Sequence, residues 1–345
     1  MRGIVYYGPG DIRIEELPVP EQNTNELLVK VDACAVCGTD LKSYRSGNPR
    51  INAPIVMGHE FTGLVHKVGE NVNEFEPGDR VVMATSVSCG ECFYCQKGWR
   101  NLCKNIAPMG YSFPGGMAEF LIIPERALKY GHAIKVPVNV SAEHASLGEP
   151  LSCAINAASN AKVQSGDTVV VLGAGPMGLM NAAVAKALGA EKVILSEISD
   201  KRLAQAKLFN IDVLVNPDTE DLQKIVMDTT NGYGADKAIV AAPAAYPQET
   251  AVSLVRKKGT VCLFASLPVG KEMLSVNSRI IHYGEINLVG SSDSTPEHVE
   301  KAVKMISDGK LPADKLVTHT MKFEEIFTAF ELMEKGESLR VVLKP

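Results

Sequence analysis

The chain has 345 residues, of which 46% are hydrophobic and 22% charged, a composition that supports packed cores and excludes a disordered or fibrous protein. That length exceeds what one core usually serves, so two domains are expected. A net charge of −5 provides no broad basic surface, which argues against nucleic acid as a partner.

Residues 1 to about 150 carry short β-patterned runs separated by Gly and Pro, such as 26–31 and 61–69, and these predict an all-β, barrel-like lobe. The opening Met1-Arg2-Gly3-Ile4 has no signal-peptide pattern, so a cytosolic location is expected. In that setting eight cysteines read as free thiols or metal ligands rather than disulfides. Cys37-Gly38-Thr39-Asp40 and Gly58-His59-Glu60 contain a thiol, an imidazole and a carboxylate, each unremarkable by itself. Cys34-x2-Cys37 matches a thioredoxin-type pair only superficially, because that motif belongs at a helix start beside a βαβ unit.

Cys89-x2-Cys92-x2-Cys95-x7-Cys103 is a denser signal, four thiols within fifteen residues on a segment whose Gly90 and Gly98 suit tight loops. Four sulfurs close a tetrahedral zinc site and leave no position for a substrate, so the role is structural. An iron–sulfur cluster is the rival, although its fourth spacing is usually different. Lys97, Arg100 and Lys104 stand nearby, either to offset the negative charge or as solvated surface.

Near residue 152 the rhythm changes to strands alternating with helices, at 168–172, 176–188, 192–197, 200–208, 237–241, 246–256 and 259–264. That alternation predicts a parallel, doubly wound sheet. The first run leads into Gly173-Ala174-Gly175-Pro176-Met177-Gly178 and an alanine-rich helix. Gly173 permits the tight turn, Gly175 lets backbone approach a pyrophosphate, and Gly178 lets helix pack on sheet. Pro176 suits the first helical turn, whose free N–H groups favour phosphates. The flanking strand and helix make this a specific dinucleotide signal. At the end of the next strand Glu197 is placed to bind the adenosine ribose hydroxyls, which favours NAD over NADP. Lys201 and Arg202 follow, as a solvated helical turn or as a cradle for a 2′-phosphate. The expected cofactor-binding residues are Gly173, Gly175, Pro176, Met177, Gly178, Glu197 and Arg202. The apolar stretch 169–185 is broken by its glycines and Asn181, so no membrane span is expected.

Cys153 reads as packed core or as a competing ligand, and Cys262 as strand core. After about residue 290 the pattern ends. Thr295-Pro296 opens a helix that stops at Asp308-Gly309, 323–335 gives another ending at Gly336, and a strand at 339–343 is expected to return to the first lobe.

The order of these motifs makes the chain resemble the zinc-dependent medium-chain dehydrogenases of the sorbitol and threonine dehydrogenase branch, over essentially its whole length. The resemblance implies an α/β protein with a GroES-like β-rich catalytic domain at 1–151, whose lobe 89–103 carries structural zinc. It further implies a Rossmann domain with a doubly wound parallel sheet at 152–289 that binds NAD, and a return segment at 290–345 completing the catalytic domain. Two zinc ions per chain follow: one on Cys89, Cys92, Cys95 and Cys103, and a catalytic one held by Cys37 and His59, with Glu60 and Glu149 as carboxylate ligands that act directly, through water or in exchange. Catalytic zinc sites keep one position open, where the metal lowers the pKa of bound water or of an alcohol. Cys37, Thr39, His59 and Glu149 are the expected catalytic residues, Thr39 resembling the hydroxyl residue that begins proton release. Where many relatives place a relay histidine this chain has Lys42, a poor base at its reference pKa of ~10.4 unless desolvated.

The implied substrate is a secondary alcohol of a polyol, a sugar or a sugar derivative, oxidised to a ketone. Glu149-Pro150-Leu151 resembles the polyol-oxidising members. Ser291-Ser292-Asp293-Ser294-Thr295 offers hydroxyl-matching hydrogen bonds, or is simply a polar loop with a helix cap. An arginine that sorbitol dehydrogenases can present nearby is missing. Threonine is the nearest alternative substrate, and a non-catalytic binder of zinc and NAD is the reading from another class. The resemblance also implies a homo-oligomer, tetramer or dimer, with no membrane or nucleic-acid partner.

Overall fold

The β-branched and leucine-rich runs of the first part of the chain pair mainly antiparallel. A computed structural model describes all 345 residues. One sheet runs in the order Ala133–Lys135, Arg80–Met83, Glu60–Val68, Leu27–Ala35, Arg340–Lys344 and Val317–Lys322, with Phe120–Ile123 paired to Leu27–Ala35. The C-terminal strand therefore sits against Ala35 and Cys34 from the other end of the sequence. Arg2–Gly8 pairs with Asp11–Glu16 and Ile55–Val56 in a smaller sheet. Ile4, Val29, Phe61, Met117, Leu121 and Phe323, each at most 2% exposed, belong to one core cluster. Burying each side chain of this size contributes roughly 1.5–3 kcal/mol.

The second part forms six parallel strands in the order Val213–Val215, Lys192–Ser196, Thr168–Leu172, Ala235–Val240, Val255–Leu263 and Asn287–Gly290. Val169, Val170 and Val171 are fully buried, as expected for a strand covered on both faces. The order reverses between Thr168–Leu172 and Ala235–Val240, and a crevice at the carboxyl ends of such strands receives the ligand in doubly wound sheets. Two features depart from the periodicity. The strands Val213–Val215 and Asn287–Gly290 form the two edges of the sheet and the helix Leu222–Thr229 follows the first of them, none of them among the runs expected from the periodicity. The expected helix at 246–256 ends early: Ala245–Thr250 gives way to a 3-10 turn at Ala251–Ser253, and a strand begins at Val255. That strand is bulged, since Ala235 pairs with Val255 but Lys237 with Thr260, and Lys258 lies between Val255 and Thr260 at φ 63°.

Contacts divide the chain into Met1–Ser152 with Asp293–Gly309 and Leu316–Pro345, and Cys153–Ser292 with Lys310–Lys315. No helix is long and apolar enough to cross a membrane.

Candidate active site and cofactor sites

Cys37 is the N-cap of the helix Gly38–Ser46, and its N–H donates to Asp40 Oδ2 at 2.9 Å. A helix start favours a thiolate. Burial opposes ionisation of Cys37, but the neighbouring His59 and Arg340 cations outweigh it and hold the thiol below its ordinary range. Burial likewise disfavours the charged form of His59, yet Cys37 and Asp40 reverse the effect and raise it. The pocket thus stabilises a thiolate and a positive charge side by side, which suits a divalent cation in place of the proton.

His59 arrives on a sharp turn at Gly58, whose φ is +92°; a Cβ there would meet Cys34 Sγ and Met117 Cγ at 2.7 Å. The ring has Nδ1 3.7 Å from Asp40 Oδ1 and Nε2 4.0 Å from Glu60 Oε1, and its buried Nδ1 has no hydrogen-bond partner. Donor atoms of Cys37, His59 and Glu60 all lie within 4.8 Å of one another. Small side-chain rotations bring such a set onto one zinc ion with bonds of about 2.0–2.3 Å. An orphaned imidazole nitrogen, a favoured thiolate and a carboxylate fit the metal. Arg340 pairs with Glu60 from behind, with both side chains almost fully buried. That pairing compensates the buried charge of Glu60.

Glu149 lies in the first turn of the helix Gly148–Asn160, and its charge also acts on His59. A carboxylate oxygen of Glu149 comes within 4.8 Å of one of Asp293. Thr39 Oγ1 is 3.5 Å from Cys37 Sγ. Lys42, on the same helix, is exposed. Asp40 and Arg340 carry no role in the sequence reading, whereas Asp293 lies in the hydroxyl-matching run 291–295. Asp40 had a local signal, a carboxylate three residues after a helix cap; Arg340 had none.

The four cysteines of the lobe converge. Cys92 Sγ is 3.5 Å from Cys95 Sγ and 3.9 Å from Cys103 Sγ, and Cys89 Sγ is 4.0 Å from Cys95 Sγ. A tetrahedron with Zn–S bonds of 2.3 Å has edges of ~3.8 Å. Backbone N–H groups of Cys95 and Lys104 bring the Cys92 thiol down to about 6, whereas burial pushes Cys103 up to about 12. Cys103 Sγ also accepts from the N–H groups of Cys89 and Asn105, at 3.2 and 3.3 Å. Of the nearby cations, Arg100 donates to the Tyr130 carbonyl and Lys97 lies over the Phe93 ring. Arg126, unremarked in the sequence, donates to the carbonyls of Val87, Ser88 and Asn105, the two ends of the lobe.

In the parallel-sheet unit, Gly173 leaves the strand at φ +104°, and a Cβ on Gly178 would fall 1.9 Å from the Gly173 carbonyl oxygen. Only glycine permits that approach. Gly175 caps the helix Pro176–Ala187 and has open space where a Cβ would stand. Glu197 is buried at the end of its strand; Ala174 N–H donates to Oε2 at 2.8 Å and Ser199 N–H to Oε1 at 3.0 Å. Arg202 Nη1 is 3.7 Å from Glu197 Oε2.

Comparison with known proteins agrees with this construction. Residues 23–138 match the alcohol dehydrogenase GroES-like domain, and residues 176–308 match the zinc-binding dehydrogenase family. Sorbitol dehydrogenase of Halalkalibacterium halodurans is 34% identical, covering 98% of this chain and 97% of that protein. L-threonine 3-dehydrogenase of Pyrococcus abyssi is 36% identical, covering 95% and 93%. The solved structure of 2R,3R-butanediol dehydrogenase from Bacillus subtilis matches with a TM-score of 0.91 at 26% identity, covering 100% of this chain and 99% of that one. Two donor clusters suited to zinc, one closed and one open, stand with a Rossmann-type unit for NAD in a zinc-type dehydrogenase of alcohol substrates. Matched along nearly its whole length, the chain belongs to the zinc-dependent medium-chain dehydrogenase/reductase family.

Proposed function

We propose that the protein oxidises a secondary alcohol of a polyol, sugar or sugar derivative to the ketone, with NAD taking the hydride. The observation that carries this reading is the buried Cys37, His59 and Glu60 donor set, with Glu149 acting on the same imidazole. Cys37, His59 and one of the two carboxylates would hold zinc, leaving a position for substrate. When bound, zinc supplies Lewis acidity that lowers the pKa of the substrate hydroxyl. Of Glu60, which pairs with Arg340, and Glu149, one would ligate directly while the other acts through water or in exchange. Thr39 Oγ1 accepts the substrate proton and passes its own outward. Lys42 is exposed at the surface, and water takes the proton at the outer end. Gly173, Gly175, Pro176, Met177 and Gly178 seat the pyrophosphate, and Glu197 accepts from the ribose hydroxyls.

A second reading, oxidation of L-threonine at its 3-hydroxyl, draws on the 36% identity to the Pyrococcus enzyme. Both are tested by supplying zinc-replete protein and NAD with polyols, sugar phosphates, inositols, sugar acids and L-threonine while following NADH. Turnover on a polyol or sugar derivative is expected; threonine alone would establish the second reading, and no NADH from any of them would reject both.

A further inference from the structure

The segment that brings the chain back to the β-rich unit carries a carboxylate held from several sides. Asp293 adopts φ +60°, a left-handed conformation uncommon for a residue with a side chain. The Ser86 hydroxyl donates to Oδ2, and the Ser294 N–H donates to Oδ1 at 2.8 Å. Ser152 Oγ lies 2.6 Å from Ser294 Oγ and 2.5 Å from the Glu149 carbonyl, which ties the segments bearing Asp293 and Glu149 together. The two carboxylates come within 4.8 Å of each other, and the cations that act on Asp293 are His59 and Arg50. Asp293 therefore stands close enough for its charge to act on the His59 imidazole, while its oxygens stay outside the Cys37, His59 and Glu60 set. Two carboxylates this close repel, and the fold restrains the second with hydroxyl and amide donors rather than relaxing it into solvent. Beside a reacting alcohol, such a group gives a charge-assisted hydrogen bond to a donor and repels an anion.

We infer that Asp293 is a specificity-determining residue, accepting a hydrogen bond from a hydroxyl or ammonium on the carbon next to the reacting carbinol and disfavouring substrates with a carboxylate or phosphate there. The inference rests on the dehydrogenase reading above. It is tested with paired probes: 2,3-butanediol against 2-butanol, which differ by the neighbouring hydroxyl, then 1-amino-2-propanol for the ammonium and lactate for the anion. Wild-type kcat/KM should favour the diol over 2-butanol by roughly ten- to a hundredfold, the worth of one charge-assisted bond. Asp293→Ala should collapse that ratio through KM, with zinc content and Tm retained. Asp293→Asn separates the two donors, because an amide oxygen still accepts from a hydroxyl but has no charge for an ammonium. If hydroxyl is the natural donor the diol should be the better wild-type substrate and survive in Asp293→Asn; if ammonium, 1-amino-2-propanol should be better and be lost. Relative use of lactate should rise in both variants. An unchanged diol ratio in Asp293→Ala, or an equal loss on every alcohol with a lowered Tm, would overturn the inference while leaving the dehydrogenase reading intact. A wild-type protein that oxidises no alcohol would remove that reading and the inference with it.

Discussion

Glu197 is fixed before any cofactor arrives: Ala174 and Ser199 donate to its two oxygens, and Arg202 approaches from the following helix. Ribose hydroxyls can donate to such a carboxylate, but a 2′-phosphate would meet it as a like charge. Repulsion at that range costs on the order of a few kcal/mol, so NAD should be favoured over NADP by roughly a hundredfold in kcat/KM. Glu197→Ser should narrow the preference sharply, because it removes the repulsion and frees Arg202 to meet the phosphate. Equal use of both cofactors by the native protein would reject the assignment, and an unchanged ratio in the variant would remove Glu197 from the site. Glu197 was legible because the glycine turn, the strand and the acidic residue keep a fixed spacing. Arg202 was only half legible, since a helix-start cation reads equally as solvated surface until its partner is located. The Glu60–Arg340 pair was not legible at all: its members are 280 positions apart, and no local pattern encodes a contact made by strand return.

At the scale of elements, the cysteine lobe shows how a loop without a core of its own is braced. Arg126 joins its two ends, and buried His132 holds its entry, with Nδ1 2.8 Å from the Ala84 carbonyl and Nε2 accepting the Ser88 N–H at 3.2 Å. The Ser88 donor fixes the proton on Nδ1, so the ring is neutral, and burial lowers its pKa to about 4. The unfolded chain, with a His pKa near ~6.5, binds a proton that the folded form refuses, so stability falls as pH drops through that value. Between pH 7.5 and 5 this one group should remove about 2 kcal/mol. Denaturant unfolding at the two pH values, compared between wild type and His132→Gln, should show the wild type losing that much more; equal losses would mean His132 is not held neutral. The cysteine spacing announced the lobe, but not Arg126 or His132, whose partners are backbone groups that sequence does not distinguish. Strand limits failed for a similar reason: the bulge at Lys258 hides the alternation that would have marked Val255–Leu263.

For the whole molecule, the central claim is that two donor sets in one chain have separate duties. The Cys89, Cys92, Cys95 and Cys103 set is closed and local, within fifteen residues, so its zinc should hold the lobe together. The Cys37 set draws on a helix cap and, twenty-odd residues later, the start of a strand, and three ligands leave a position for substrate, so its zinc should serve turnover. The most direct measurement is zinc per chain, by elemental analysis, alongside NADH formation and Tm in the wild type, Cys37→Ser and Cys92→Ser. Two zinc ions per chain are predicted in the wild type, with Cys37→Ser folded but inactive and short of one ion, and Cys92→Ser destabilised. A fully active wild-type protein holding a single zinc ion, or a Cys37→Ser protein that keeps both zinc and turnover, would contradict the claim.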